Sequence, residues 1–338
     1  MMMSLEECNG SYMKHKALFV FGDSLYDPGN NLYLQQKNRS LLPSDHYPYG
    51  KTFFNHPTGR FSDGRIVPDF IGLPILSAYL KAQHTPFTYG ANFASAGAAV
   101  TIASNSNIWL PRQMRYFKEV VKSLRQEVGY IRAERVLKDA VYLFSIGGND
   151  YNVLHMLNPN ATKSYRMAFI NKVVRNLTTV FKEIYSIGGR KFGYQNVGPL
   201  GCSPISRVIS SGDCDPILME MASQHNKAFA KALNNLHHHL PGFRYALFDY
   251  YNALLDRINH PSKYGLKEGK VACCGNGPYR RMGCGNGKKF EVCKNPSEYV
   301  WFDFAHPVEK VNNQIAMLLW NASPNVTAPY NVAQLFNY

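Results

Sequence analysis

At 338 residues, with 45% hydrophobic and 18% charged side chains, the chain can bury a large core, in one long α/β domain or two, and lies outside the disordered class. Its formal net charge is +14, yet the basic residues are spread out, with no basic helix, zinc-finger spacing or RNA-binding signature. That argues against a nucleic-acid partner and leaves a weak attraction to anionic polysaccharide or a membrane surface. No apolar run approaches the roughly 20 residues needed to cross a bilayer.

Residues 1–15 read as a flexible N-terminal segment. Glu6, Glu7 and Lys14 deny it a signal-peptide core, so a leader is expected to have been removed already, with Met1-Met2-Met3 a remnant placed ahead of the mature chain. Residues 17–21 form an apolar run with the length and composition of a buried strand, and Gly22 ends it two residues before Ser24. Residues 30–60 are rich in Asn, Pro, Tyr and Gly and read as surface loop. Ser62 or Asp63 is placed to cap a helix through Ile66, Phe70 and Ile71. A second strand is expected over 89–94, running into a small-residue stretch that contains Gly97.

Residues 111–138 read as one helix, with Met114, Phe117, Val121 and Leu124 on one face. A continuous apolar strand over 141–146, buried on both faces, ends at Gly147-Gly148-Asn149-Asp150. A helix over 163–187 stops at Gly188-Gly189, and a fourth strand covers 191–197. A long helix over 215–240 ends in His237-His238-His239, which point in three directions and suit a solvated last turn better than a metal. A fifth strand over 243–249, a helix near 250–258 and a Gly-rich loop follow. Pro307 fits the first position of a final helix striped by Val308, Val311, Ile315, Leu318 and Leu319. Strands alternating with helices imply a mainly parallel sheet covered on both faces.

There are seven cysteines. Cys273, Cys274, Cys284 and Cys293 lack the two-residue gaps of a zinc knuckle, which favours disulfides over metal. Cys202 and Cys214 flank a short loop and read as a further pair, leaving Cys8 over. Sequons at Asn9, Asn38, Asn160, Asn176, Asn321 and Asn325 are glycosylation candidates, whereas Pro296 spoils the one at Asn295. Both features point to an oxidising compartment.

Four chain positions end an apolar segment in small residues or a turn: Ser24, Gly97, Asn149, and Asp303 with His306. A serine hydroxyl attacks poorly until an imidazole takes its proton, and the imidazole needs a carboxylate to fix its tautomer. Asp303 and His306 stand three residues apart, so Asp303 can turn back to one ring nitrogen and leave the other facing Ser24. The backbone N–H groups of Ser24 and Gly97 and the Asn149 amide are candidate donors to an oxyanion. Asp23 and Asp150 read as turn and capping carboxylates. His46, His56, His84 and His155 have no partner at catalytic spacing and read as surface loop residues.

The blocks Gly22-Asp23-Ser24-Leu25, Asn92-Phe93-Ala94-Ser95-Ala96-Gly97, Gly147-Gly148-Asn149-Asp150-Tyr151 and Asp303-Phe304-Ala305-His306-Pro307 resemble those of the plant GDSL esterase/lipases of the SGNH hydrolase superfamily. The stretches 57–65, 196–202 and 273–275 resemble that family as well, so the likeness runs in order from about residue 16 to the end. Gly148 and Val308 depart from its commoner residues without removing a reacting group. The resemblance implies one three-layer α/β/α domain over 16–338, a flavodoxin-like fold with about five parallel strands, a secreted plant protein and a triad of Ser24, Asp303 and His306. Three functions compete. The first is hydrolysis of an acyl ester through an acyl-serine, without metal or cofactor. The second is transfer of the same acyl group to an alcohol, as in pyrethrin-type relatives. The third is non-catalytic binding of cell-wall polysaccharide in the apoplast.

Overall fold

The sheet is built outward from its most apolar strand. The computed structural model describes residues 16–34, 43–71, 74–82, 86–104, 106–285 and 289–338; the whole 1–15 segment with Cys8 and Asn9, and also Asn38 and His84, lie outside them. Strand β1 (Leu18–Gly22) is buried throughout and pairs in parallel with β2 (Gly90–Asn92) on one side and β3 (Val141–Ser145) on the other. β4 (Lys191–Gln195) and β5 (Arg244–Phe248) extend the parallel order to β2-β1-β3-β4-β5. The five parallel strands match the expectation. A sixth, β8 (Thr327–Pro329), joins antiparallel at the β5 edge, where its proline costs no interior ladder bond. Three residues are too few to show a strand period in sequence.

Strand side chains alternate between two cores. Phe19, Phe21, Tyr142, Phe144 and Phe192 meet α1 (Leu110–Val128), α2 (Tyr130–Asp139), α4 (Lys163–Ile187) and α6 (Pro216–His239). Leu18, Val20, Leu143 and Phe248 meet α7 (Tyr250–Asn259), α8 (Glu309–Asn321) and α9 (Val332–Asn337) on the other face. Phe21 and Phe144 stack at 4.7 Å across adjacent strands, and truncating either to alanine costs about 3–5 kcal/mol. α3 (Gly148–Leu157) leaves the end of β3 directly, and α5 (Pro204–Arg207) is a single turn.

Three local expectations are corrected. The helix read over 111–138 is two, because Gly129 adopts φ +79° between α1 and α2. After Ser62 and Asp63 there is only a 3₁₀ turn, Val67–Phe70; Asp63 Oδ1 instead accepts from the Glu309 N–H at 2.7 Å and caps α8 from 246 residues away. α8 accordingly begins at Glu309, two residues beyond Pro307. The bonds Cys202–Cys214, Cys273–Cys293 and Cys274–Cys284 join all six paired candidates. The last two close a lobe containing β6 (Cys274–Gly275) and β7 (Glu291–Val292). Its Cys273 and Cys274 N–H groups donate to Trp301 and Phe302, steadying the approach to Asp303.

Candidate active site

Gly22 is required where β1 passes β3, because a Cβ there would stand 2.6 Å from the Ser145 carbonyl oxygen. The chain then turns tightly, the Tyr26 N–H donating to the Asp23 carbonyl, and leaves Ser24 half-buried at the strand exit. His306, only 5% exposed, arrives from the loop before α8, and its Nε2 lies 2.7 Å from Ser24 Oγ. Its Nδ1 lies 2.7 Å and 2.9 Å from the two oxygens of the fully buried Asp303. A proton on Nδ1 facing the carboxylate leaves Nε2 as the acceptor for the serine hydroxyl. Asp303 Oδ1 also accepts from the Ala305 and His306 N–H groups, and Oδ2 accepts from the Tyr49 hydroxyl at 2.7 Å. Burial and the Asp303 charge hold the Tyr49 phenol well above its ordinary range, so it stays a donor. Phe61 and Phe304 pack on the His306 ring at 4.6 Å and 5.2 Å.

The three candidate donors belong to residues of one cavity wall. Among the described residues the Ser24 and Gly97 N–H groups have no hydrogen-bond acceptor, and both residues line one cavity with Asn149. Gly97 takes φ +77°, where a side chain is strained, and Asn107 Nδ2 donates to its carbonyl. Asn149 Nδ2 donates one hydrogen to the Ala98 carbonyl at 2.9 Å, leaving its second for another acceptor. Asp27 sets this loop: Oδ1 accepts from the Gly29 and Asn30 N–H groups, and Oδ2 from Ala96 at 2.8 Å. Asp150 accepts from Val100 and Thr101, and so ties the start of α3 to the same loop.

A buried polar chain fixes α3 from behind. Tyr194 donates to the Ile146 carbonyl, so its oxygen accepts from His225 Nε2–H, and His225 Nδ1 accepts from the Tyr151 hydroxyl at 2.6 Å. Burial pushes the His225 imidazole down to about 3, which keeps it neutral in this chain of bonds. The cavity itself has a volume of about 600 Å³ and is largely apolar, with Leu200, Ile205, Leu218 and Leu254 among its walls.

The family model for GDSL-like lipase/acylhydrolase matches residues 18–319. The chain is 46% identical over 328 residues to a GDSL lipase of Tanacetum cinerariifolium, covering 95% of this chain and 87% of that protein. It is 44% identical to GDSL esterase/lipase 1 of Arabidopsis thaliana, covering 97% of this chain and 92% of the relative. It is 46% identical to GDSL esterase/lipase 3 of the same plant, with the same two shares. The chain belongs to the GDSL-like lipase/acylhydrolase family. It is a GDSL esterase/lipase with a mostly parallel sheet covered by helices.

In this GDSL enzyme Ser24, Asp303 and His306 lie within hydrogen-bonding reach, and Gly97 and Asn149 share their cavity. Asp23 accepts from the Leu25 N–H as a turn carboxylate, and burial pushes it up to about 7. Asn160, Asn321 and Asn325 are exposed, whereas Asn176 is half-buried within α4. His155 departs from its reading as a surface loop residue: it is buried in the last turn of α3 and lines the cavity. Sequence reasoning passed over Tyr49, Asp27 and His225. The first stands 254 residues from its partner, and no spacing rule connects them. Asp27 carried a signal in Asp27-Pro28-Gly29-Asn30, a turn sequence whose carboxylate binds backbone N–H groups locally.

Proposed function

We propose that the chain hydrolyses acyl esters through an acyl-enzyme on Ser24. Ser24 Oγ attacks the ester carbonyl carbon while His306 Nε2 takes the hydroxyl proton, and Asp303 holds the resulting imidazolium. The charge that develops on the carbonyl oxygen is received by the Ser24 and Gly97 N–H groups and the free Asn149 amide hydrogen, each donor lowering the barrier by about 3–4 kcal/mol. Collapse breaks the C–O bond to the alcohol, which leaves with the proton from His306. Water then repeats the sequence on the acyl-serine, releasing the acid and restoring Oγ–H. The observation that carries this reading is the unbroken Ser24–His306–Asp303 line of contacts at 2.7 Å each, opening onto an apolar cavity.

An alcohol seated in the same cavity would accept the acyl group in place of water, and the partition rests on how well water is excluded. Mass spectrometry of the products formed from p-nitrophenyl esters, with and without added alcohols, separates the two. Free acid that persists in excess alcohol supports hydrolysis, and accumulated ester supports transfer. Ser24→Ala should lower kcat by 10³-fold or more. Retained turnover in that variant would remove Ser24 from the mechanism, and an intact protein that binds polysaccharide without ester turnover would support the binding role. Three disulfides and three exposed sequons support a secreted glycoprotein.

A further inference from the structure

Resting on the esterase reading, we propose that α3 carries a hydroxyl-recognition subsite, made by His155 and Asn152, in the part of the cavity that receives the acyl chain. The acyl group stays on the enzyme through both half-reactions and needs an enclosed pocket, whereas the alcohol must leave. Asn149, Asn152 and His155 follow one another at i, i+3 and i+6, and all three line the cavity. They form a polar stripe running outward from the reacting centre. Leu200, Ile205 and Ile209 supply apolar wall to the same cavity. At 1.5 Å per residue, His155 lies about 9 Å along the helix from Asn149.

A polar ring in an apolar wall needs a partner. His155 stands beside a carboxylate: its Nε2 lies 3.3 Å from Asp215 Oδ2, at charge-pair distance without hydrogen-bond alignment, and both side chains are at most 10% exposed. Asp215 is itself fixed, because it caps α6 through the Leu218 N–H and adjoins the Cys202–Cys214 bond. The carboxylate stands on the Nε2 side of the ring, and Nδ1 is the other polar atom of the side chain. Among the described residues Nδ1 has no hydrogen-bond partner, and it is not sealed from solvent. A hydroxyl is donor and acceptor at once, so it serves His155 Nδ1 in either tautomer as well as the exposed Asn152 amide. At about 1.2 Å per bond along an extended chain, 9 Å corresponds to an acyl group of about eight carbons with the hydroxyl at its end.

The test compares kcat/KM for p-nitrophenyl octanoate and p-nitrophenyl omega-hydroxyoctanoate. The native enzyme is expected to favour the hydroxy ester by about tenfold, the size of one net hydrogen bond. His155→Leu should reverse that ratio in favour of octanoate, and His155→Gln, which keeps a hydrogen-bonding amide, should restore part of it. Asn152→Leu, at an exposed position that does not threaten the fold, should lower the ratio too and stands in if His155→Leu loses its melting transition. Octanoate turnover with no native preference for the hydroxy ester, or the same ratio in native enzyme and variants, overturns the subsite alone. No turnover of either ester by the native enzyme overturns the subsite together with the esterase reading.

Discussion

Replacing Tyr49 by phenylalanine removes one hydroxyl from a buried, otherwise apolar contact, 2.7 Å from Asp303 Oδ2. Hydrogen bonds to a charged group contribute about 1.5–3 kcal/mol, and Asp303 keeps the donors Ala305 N–H, His306 N–H and His306 Nδ1. The expected loss of stability is about 2 kcal/mol, or about 3 °C in Tm for a chain of this length. The second effect is on positioning. With one donor gone, Asp303 is held less firmly against His306 Nδ1, so kcat should fall about 10–100-fold. A thermal melt and steady-state kinetics on p-nitrophenyl butyrate read both effects in one preparation. A variant whose Tm and kcat both match the native enzyme would refute the view that Tyr49 supports Asp303.

Three further outcomes follow from the same contacts. Asp23, raised to about 7 in the fold against about 4 unfolded, binds more protons when folded; native stability should therefore decline from pH 4 to pH 7 through this group, and Asp23→Asn should remove that slope, gaining up to about 4 kcal/mol near neutrality in denaturant titrations. An Asp23→Asn profile parallel to the native one would contradict its burial as a neutral acid. Asp27→Asn sets an amide N–H₂ against the Ala96 N–H and shifts the neighbouring Gly97 donor, so kcat should fall about 10–100-fold with KM little changed; equal changes in both would place Asp27 outside donor positioning. Paired Cys273→Ser and Cys293→Ser changes open a bond of sequence separation 20, with an expected loss of about 3 kcal/mol, and chemical denaturation showing no loss would rule out a stabilising role.

Much of this arrangement was legible because its signals are local. Continuous apolar runs ending in glycine marked β1 and β3, and both exits carry site residues. Asp303 and His306 sit three residues apart, and their hydrogen bond forms within one turn. The α4 boundaries were readable because Thr162 caps one end and Gly188, at φ 126°, closes the other. What stayed hidden depends on distant partners. Asp63 looked like a local cap, yet the N–H it accepts from belongs to the first residue of α8. His155 read as a surface loop histidine because it has no partner at catalytic spacing, and nothing in the sequence places Asp215 beside it. His225 sat on the apolar face of α6, where the packing period hides the polar bonds it makes to Tyr151 and Tyr194. Gly129 broke a helix whose apolar face continues across the break, and periodicity alone does not register a positive φ.

Incubating the native enzyme with a fluorophosphonate ester and sequencing the modified peptide by tandem mass spectrometry addresses the nucleophile without reference to any substrate. Stoichiometric phosphonylation of the peptide spanning Leu18–Tyr26, on Ser24, abolished in an inactive but folded His306→Ala variant, is the predicted result. Labelling at another serine, or labelling of Ser24 at an undiminished rate once His306 is gone, would contradict it.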